Sequence, residues 1–171
     1  MKLEPIVWFE EVVKTHQTIS PHIHHTQVVT CPDLNEELGG KYIFKPESLQ
    51  ITGSFKVRGA LSAISRLSKD QLKHGVVAYS SGNHAQGVAH AAKLFNTPAI
   101  VVMPKDAPVK KIENAKALGA EVVFYDRTKD SREQMTAEIA QEKNLTLIKP
   151  YDSLETIFGQ ATAAYEVIHD V

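Results

Sequence analysis

The chain has 171 residues, 43% of them hydrophobic, which is the size of one ordinary domain with an ordinary core and excludes a disordered chain. Lys plus Arg number 19 against 20 Asp plus Glu, a formal net charge of −1, so no overall field draws the protein to nucleic acid or an anionic membrane surface. Acids interrupt the apolar opening MKLEPIVWFEEVV, no run reaches the roughly 18 apolar residues of a membrane span, and Cys31 is the only cysteine, so a cytoplasmic chain with no leader, internal disulfide or thiolate metal site is expected.

In chain order, a helix is expected around Ile6 to Lys14, then a polar, irregular stretch through HTQVVTCPDLNEELGG, then a strand at KYIFK, residues 41 to 45. The next helix follows GSFK and carries Val57, Ala60, Leu61, Ile64 and Leu67 as its buried stripe. From Gly75 short apolar runs alternate with helical patterns: VVAYS (76–80), a helix over 84–95, AIVVM (99–103), a helix over 108–118, EVVFY (121–125), a helix over 131–142, and LTLI (145–148). Ala85, Val88, Ala89, Ala92 and Phe95 share one face of the first of these helices. This βαβαβαβ order predicts an α/β fold with a parallel sheet and ligands at the carboxyl ends of its strands. After Pro150, Tyr151 and Asp152 a last helix spans about Ser153 to His169. The segments outside the alternating unit have too little sheet for a core of their own, so the missing half of a larger fold is expected.

Two stretches carry chemistry. In GSFKVRGA, residues 53 to 60, Lys56 and Arg58 fall in the first turn of a helix, where a cation is disfavoured by up to about 1 kcal/mol. Burial and the local positive potential push such a lysine toward the neutral amine, which can form an imine with a carbonyl or take a proton from carbon. The alternative is a side chain that reaches to solvent and packs only its stem. SSGNHAQG, residues 80 to 87, begins where a strand ends and runs into a helix. Ser80, Ser81 and Asn83 can cap that helix, Gly82 permits a positive φ, and the free N–H groups make a cradle for a carboxylate or phosphate. Here the alternative is a connection with no ligand. G-x-G-x-x-G, Walker and G-x-S-x-G patterns are absent from the sequence.

Together these stretches resemble the fold-type II pyridoxal-phosphate enzymes, which have a tryptophan synthase beta-like fold, in the branch of threonine/serine dehydratases, serine racemases and hydroxyaspartate ammonia-lyases. KPESLQITGSFKVRGA (45–60) is similar to the family's cofactor-lysine motif and SSGNHAQGVA (80–89) to its substrate loop. MPKDAPVKKIENAKALGAEVVFYDRTKDSRE (103–133) resembles the following βαβ segment, and KPYDSLETIFGQAT (149–162) the return to the large domain. The resemblance implies that residues 1–74 belong to a large domain, 75–150 form a small three-layer α/β domain, and 151–171 return to a large domain that is truncated.

It further implies pyridoxal phosphate as cofactor, held by Lys56 as a Schiff base, with Lys56 later acting as base on one face of Cα. Phe55 would lie against the cofactor ring, and Asn83 would bond its hydroxyl. Ser81, Gly82, Asn83 and His84 would receive the substrate carboxylate. Ser81 matches the position where racemases of the family place the acid–base group of the far face, although a serine there could equally cap the helix. The implied reaction is β-elimination from serine, threonine or 3-hydroxyaspartate to a keto acid and ammonia, with racemisation as a companion, in a homo-oligomer. The cradle for the cofactor phosphate, the partner of its ring nitrogen and the family's metal site would lie past Val171, so weak or no turnover is expected of this chain alone. FGQAT departs from the usual A-G-Q-G-T at Phe158 and Ala161, which bears on packing of the last helix. The rival expectation is a non-catalytic α/β module that binds an amino acid or a protein through SSGNHAQG. His22, His24 and His25 read as a solvated loop with no metal, and Ser81 with His84 lacks the acid of a hydrolase. Lys105, Lys110 and Lys111 read as a solvated helix face.

Overall fold

A computed structural model describes residues 5–171, so the first residues of the 1–74 segment lie outside the described part. Its centre is a four-stranded sheet in the order β5-β4-β3-β6, built from β3 (Val76–Tyr79), β4 (Ala99–Pro104), β5 (Glu121–Tyr125) and β6 (Thr146–Leu147). Every pairing is parallel, with Val76 opposite Ala99 and Tyr79 opposite Val102. The two central strands are buried along their whole length, which is why VVAY and AIVVM read as unbroken apolar runs. Alternate residues serve two cores. Val76, Ala78, Val101 and Met103 pack with Ala85, Val88, Ala89 and Ala92 of α5 (Asn83–Leu94), and Ala115 of α6 (Val109–Ala117) joins them. Val77, Tyr79, Ile100 and Val102 face Met135 and Ile139 of α7 (Arg132–Glu142). Helices thus cover both faces of the sheet, as expected from the alternation.

The segments before the sheet hold more structure than the sequence suggests. Helix α1 runs over Pro5–Ile19, well past Lys14. The stretch expected to be irregular contains β1 (Val29–Thr30) and α2 (Pro32–Leu38), which starts on a proline at its first position and stops at Gly39 in the left-handed region, φ +63°. The expected strand at 41–45 shrinks to β2 (Ile43–Phe44), paired antiparallel with β1. A further helix, α4 (Lys69–His74), is started by a capping box between Ser68 and Gln71, a signal present in the sequence as S-x-x-Q.

Helix α3 (Lys56–Ser65) joins the three segments, because it packs on both α5 and α8 (Leu154–Asp170). Glycines set both approaches. A Cβ on Gly87 of α5 would lie 3.1 Å from Val57 N, and one on Gly159 of α8 would lie 2.6 Å from Ser62 Cβ and 2.7 Å from Gly59 Cα, besides striking Arg58 O. Backbone atoms cannot yield as a flexible side chain can, so Gly159→Ala is expected to cost about 3 kcal/mol. Thermal unfolding should show a fall of about 5–10 °C in Tm. Phe158, one of the departures in FGQAT, is accommodated in a buried position, edge-on to Trp8 at 5.2 Å between ring centroids.

Candidate functional site

Lys56 is the first residue of α3, and the chain reaches it through two successive left-handed residues, Thr52 (φ +65°) and Gly53 (φ +69°). Its backbone N–H donates to Ser54 Oγ at 3.1 Å. The side chain is half-buried, and Nζ donates to Pro150 O at 2.7 Å, just past β6 at the carboxyl end of the sheet. No carboxylate pairs with it among the described residues, and burial lowers its pKa from the ordinary lysine value. Gln160 Nε2 also donates to Pro150 O, at 3.1 Å. The ring of Phe55 lies 5.2 Å from Nζ.

The cleft around Nζ has a volume of about 500 Å³ and includes Tyr79, Ser80, Ser81, Gly82, Asn83 and His84 in its wall. All of the residues singled out in SSGNH therefore share one cavity with Lys56. Two local details differ from the expectation. Gly82 has φ −178°, extended backbone open to any residue, so its positive φ is not used; the left-handed residues leading to Lys56 are Thr52 and Gly53. No side chain caps α5: Ser80 Oγ instead accepts from Gly82 N at 3.1 Å, and Ser81 and Asn83 stay exposed. The first-turn N–H groups of α5 are thereby left on the cleft wall as donors for an anion.

His84, also in that wall, is tied down by its ring. The residue is only 2% exposed, and its Nε2 donates to Ile148 O at 3.0 Å, tying the start of α5 to the segment just after β6. Burial, opposed by the Ile148 bond and reinforced by the nearby charge of Lys56, lowers its pKa to about 4, so the ring is neutral at physiological pH. With Nε2 committed to Ile148, the ring is held by the backbone rather than by the Ser81 hydroxyl.

Sequence reasoning missed several cleft residues. Lys111 belongs not to a solvated face but to the cleft: its Nζ donates to Asn83 Oδ1 at 2.7 Å, whereas Lys110 stays exposed beside Glu113 at 3.9 Å. Arg127 and Arg132 also line the cleft. The available signal was positional, since Lys111 and Arg127 follow β4 and β5 at the carboxyl ends where such sheets bind ligands. Holding Asn83 by its oxygen settles the amide orientation and leaves both Nδ2 protons to donate elsewhere.

Arg58, the second cation of GSFKVRGA, turns away from the cleft and is fully buried. It donates to both Glu166 oxygens at 2.8 Å and to Glu47 at 2.8 and 2.9 Å, while Lys45 adds an ion pair to Glu166 at 2.7 Å. The three histidines of HIHH go to separate partners: His22 to the Phe95 ring, His24 to Leu49 O, and His25 to Asp170.

A family model described as pyridoxal-phosphate dependent enzyme matches residues 19–171. The chain is similar to an L-threo-3-hydroxyaspartate ammonia-lyase of a Pseudomonas species, 46% identical over 94% of this chain and 50% of that protein. It is also similar to the serine racemase of Schizosaccharomyces pombe, 42% identical over 95% of this chain and 50% of the other. Among solved structures, maize serine racemase superposes with a TM-score of 0.90 at 38% identity, over 95% of this chain and 49% of that one. The chain spans about half the length of the relatives it matches.

Proposed function

Because the chain belongs to the family of pyridoxal-phosphate-dependent enzymes, we propose that it carries the lysine side of the active site of an amino-acid ammonia-lyase of the threonine/serine dehydratase type, with serine racemisation as a companion activity. The observation that carries this reading is Lys56 Nζ, half-buried and without a carboxylate partner, in one cleft with the uncapped start of α5.

The residues present fit the cofactor. An amine with a lowered pKa and one neutral acceptor suits an aldehyde, Phe55 offers a ring face beside it, and Asn83 offers amide protons for an oxygen substituent of the ring. Bound there, pyridoxal phosphate supplies an electron sink for the charge left at Cα when an amino acid loses its α-proton. Lys56 is the group that removes this proton. The open N–H groups of the Ser81–His84 turn, with that of Gly82 held by Ser80 Oγ, receive the α-carboxylate and so fix which face of Cα meets Lys56. Ser81, which caps nothing, has its hydroxyl free to hold a proton for the opposite face, the requirement for racemisation. Serine, threonine and 3-hydroxyaspartate are the candidate substrates, in a homo-oligomer. Residues 75–150 form the small domain in this reading, with 1–74 and 151–171 as parts of the large one.

Pyridoxal phosphate should turn the protein yellow, and borohydride should then fix one phosphopyridoxyl group, which peptide mass mapping should find on Lys56. The lowered pKa raises the neutral fraction of Lys56 at pH 7 above that of exposed lysines, so labelling there should be fastest. Labelling spread evenly over exposed lysines such as Lys93 and Lys110 would overturn the enzymatic reading in favour of a binding module.

A further inference from the structure

Besides Lys56, the cleft wall carries the cations Lys111, Arg127 and Arg132 and no carboxylate. The two arginines already have anionic partners, Asp106 at 2.9 Å and Glu133 at 2.7 Å, and Arg132 also lies over the Tyr79 ring. Lys111 has none among the described residues. Its stem runs along the backbone of Gly82, where an added Cβ would sit 3.7 Å from Lys111 Cγ, and its Nζ reaches the neutral oxygen of Asn83. That bond uses one of three ammonium protons, so two remain for a ligand beside the substrate loop.

Resting on the reading of this cleft as an amino-acid site, we propose that Lys111 is a specificity-determining residue that binds a second carboxylate, on the side chain of the substrate. The preferred substrate class is then a 2-amino acid with a hydroxylated, acidic side chain, rather than serine or threonine. The charge count supports this choice. The α-carboxylate has the neutral N–H groups at the start of α5 to receive it. A serine or threonine bound that way leaves the Lys111 ammonium with no counter-charge, whereas a side-chain carboxylate supplies one and takes charge-assisted hydrogen bonds from its two unused protons. The ion pair also faces no competing acid on the wall.

The test titrates the chain, loaded with pyridoxal phosphate, with L-threo-3-hydroxyaspartate and with L-serine. Cofactor absorbance and the amide NMR shifts of Ser81 to His84 report binding. The wild type should bind the dicarboxylate about five- to tenfold more tightly at low salt. The preference should shrink as salt is added, because the contact is partly solvated. Lys111→Gln, which keeps a donor for Asn83 but removes the charge, should erase the preference, and Lys111→Arg should retain it. Equal affinities in the wild type, or equal weakening of both ligands by Lys111→Gln, would overturn the proposal and leave the amino-acid site standing. If neither amino acid moved the absorbance or the amide signals, both would fall together.

Discussion

Lys56→Met should abolish borohydride-stable labelling at position 56 and cut total incorporation in a brief reaction about tenfold or more, while the protein stays folded and as stable as the wild type or more so. The reason is that the placement of Lys56 costs stability. Its ammonium is half-buried with no anion, and burial disfavours the charged form. Methionine has a similar reach and no charge to desolvate. The acceptor it abandons, Pro150 O, keeps its bond from Gln160. A gain of about 1 kcal/mol, or about 2–4 °C in Tm, is the expected scale. The pH dependence has a definite sign. Since the folded-state pKa lies below the ordinary lysine value of 10.5, the unfolded chain holds more protons in the window between the two, and the wild type gains stability there as pH rises. The advantage of Lys56→Met should therefore narrow in alkali. A large drop in Tm would instead make Lys56 a structural anchor and remove the argument for a poised amine.

Arg58→Met should be among the most destabilising single changes in the protein, at about 3–5 kcal/mol and about 10 °C or more in Tm. The guanidinium is fully buried and clamps Glu47 and Glu166 at once, joining α3 to the segment before it and to α8. Its removal leaves the buried Glu166 carboxylate with Lys45 Nζ at 2.7 Å on one oxygen and His16 Nε2 at 3.3 Å from the other. Burial alone would raise the pKa of Glu166, but the bonds from Arg58 and Lys45 outweigh it and hold the value at about 2, below the ordinary 4.5. The contribution is therefore fully present above about pH 4.5 and is lost as pH falls toward about 2. Acid titration of thermal stability should show this loss in the wild type and a flatter profile in Glu166→Gln. Replacing both partners by apolar residues, Arg58→Met with Glu166→Leu, should cost less than the sum of the single changes, because neither buried charge is then left alone. Additive costs would mean that the two side chains act independently. Since α3 begins at Lys56, loss of this clamp should also loosen the reactive amine, visible as slower labelling at temperatures below unfolding.

The sequence by itself determined the features that neighbouring residues decide. Apolar runs alternating with helical periodicity specified the parallel sheet and its order of elements, because burial on both faces demands unbroken apolar strands and one-sided burial demands a striped helix. GSFK and SSGN likewise marked the starts of two helices, α3 and α5, although neither the side-chain caps nor the positive φ expected in SSGN forms. Tertiary structure alone decided where the charges went. Lys56 and Arg58 lie two positions apart in one helical turn, yet one faces the cleft and the other is buried against Glu166, a partner 108 positions away in the chain. Lys111 joined the cleft, and the His84 ring bonded Ile148 O, for the same reason. A side chain's local pattern sets the face it occupies, but its partner and its protonation depend on which distant element the fold brings against that face.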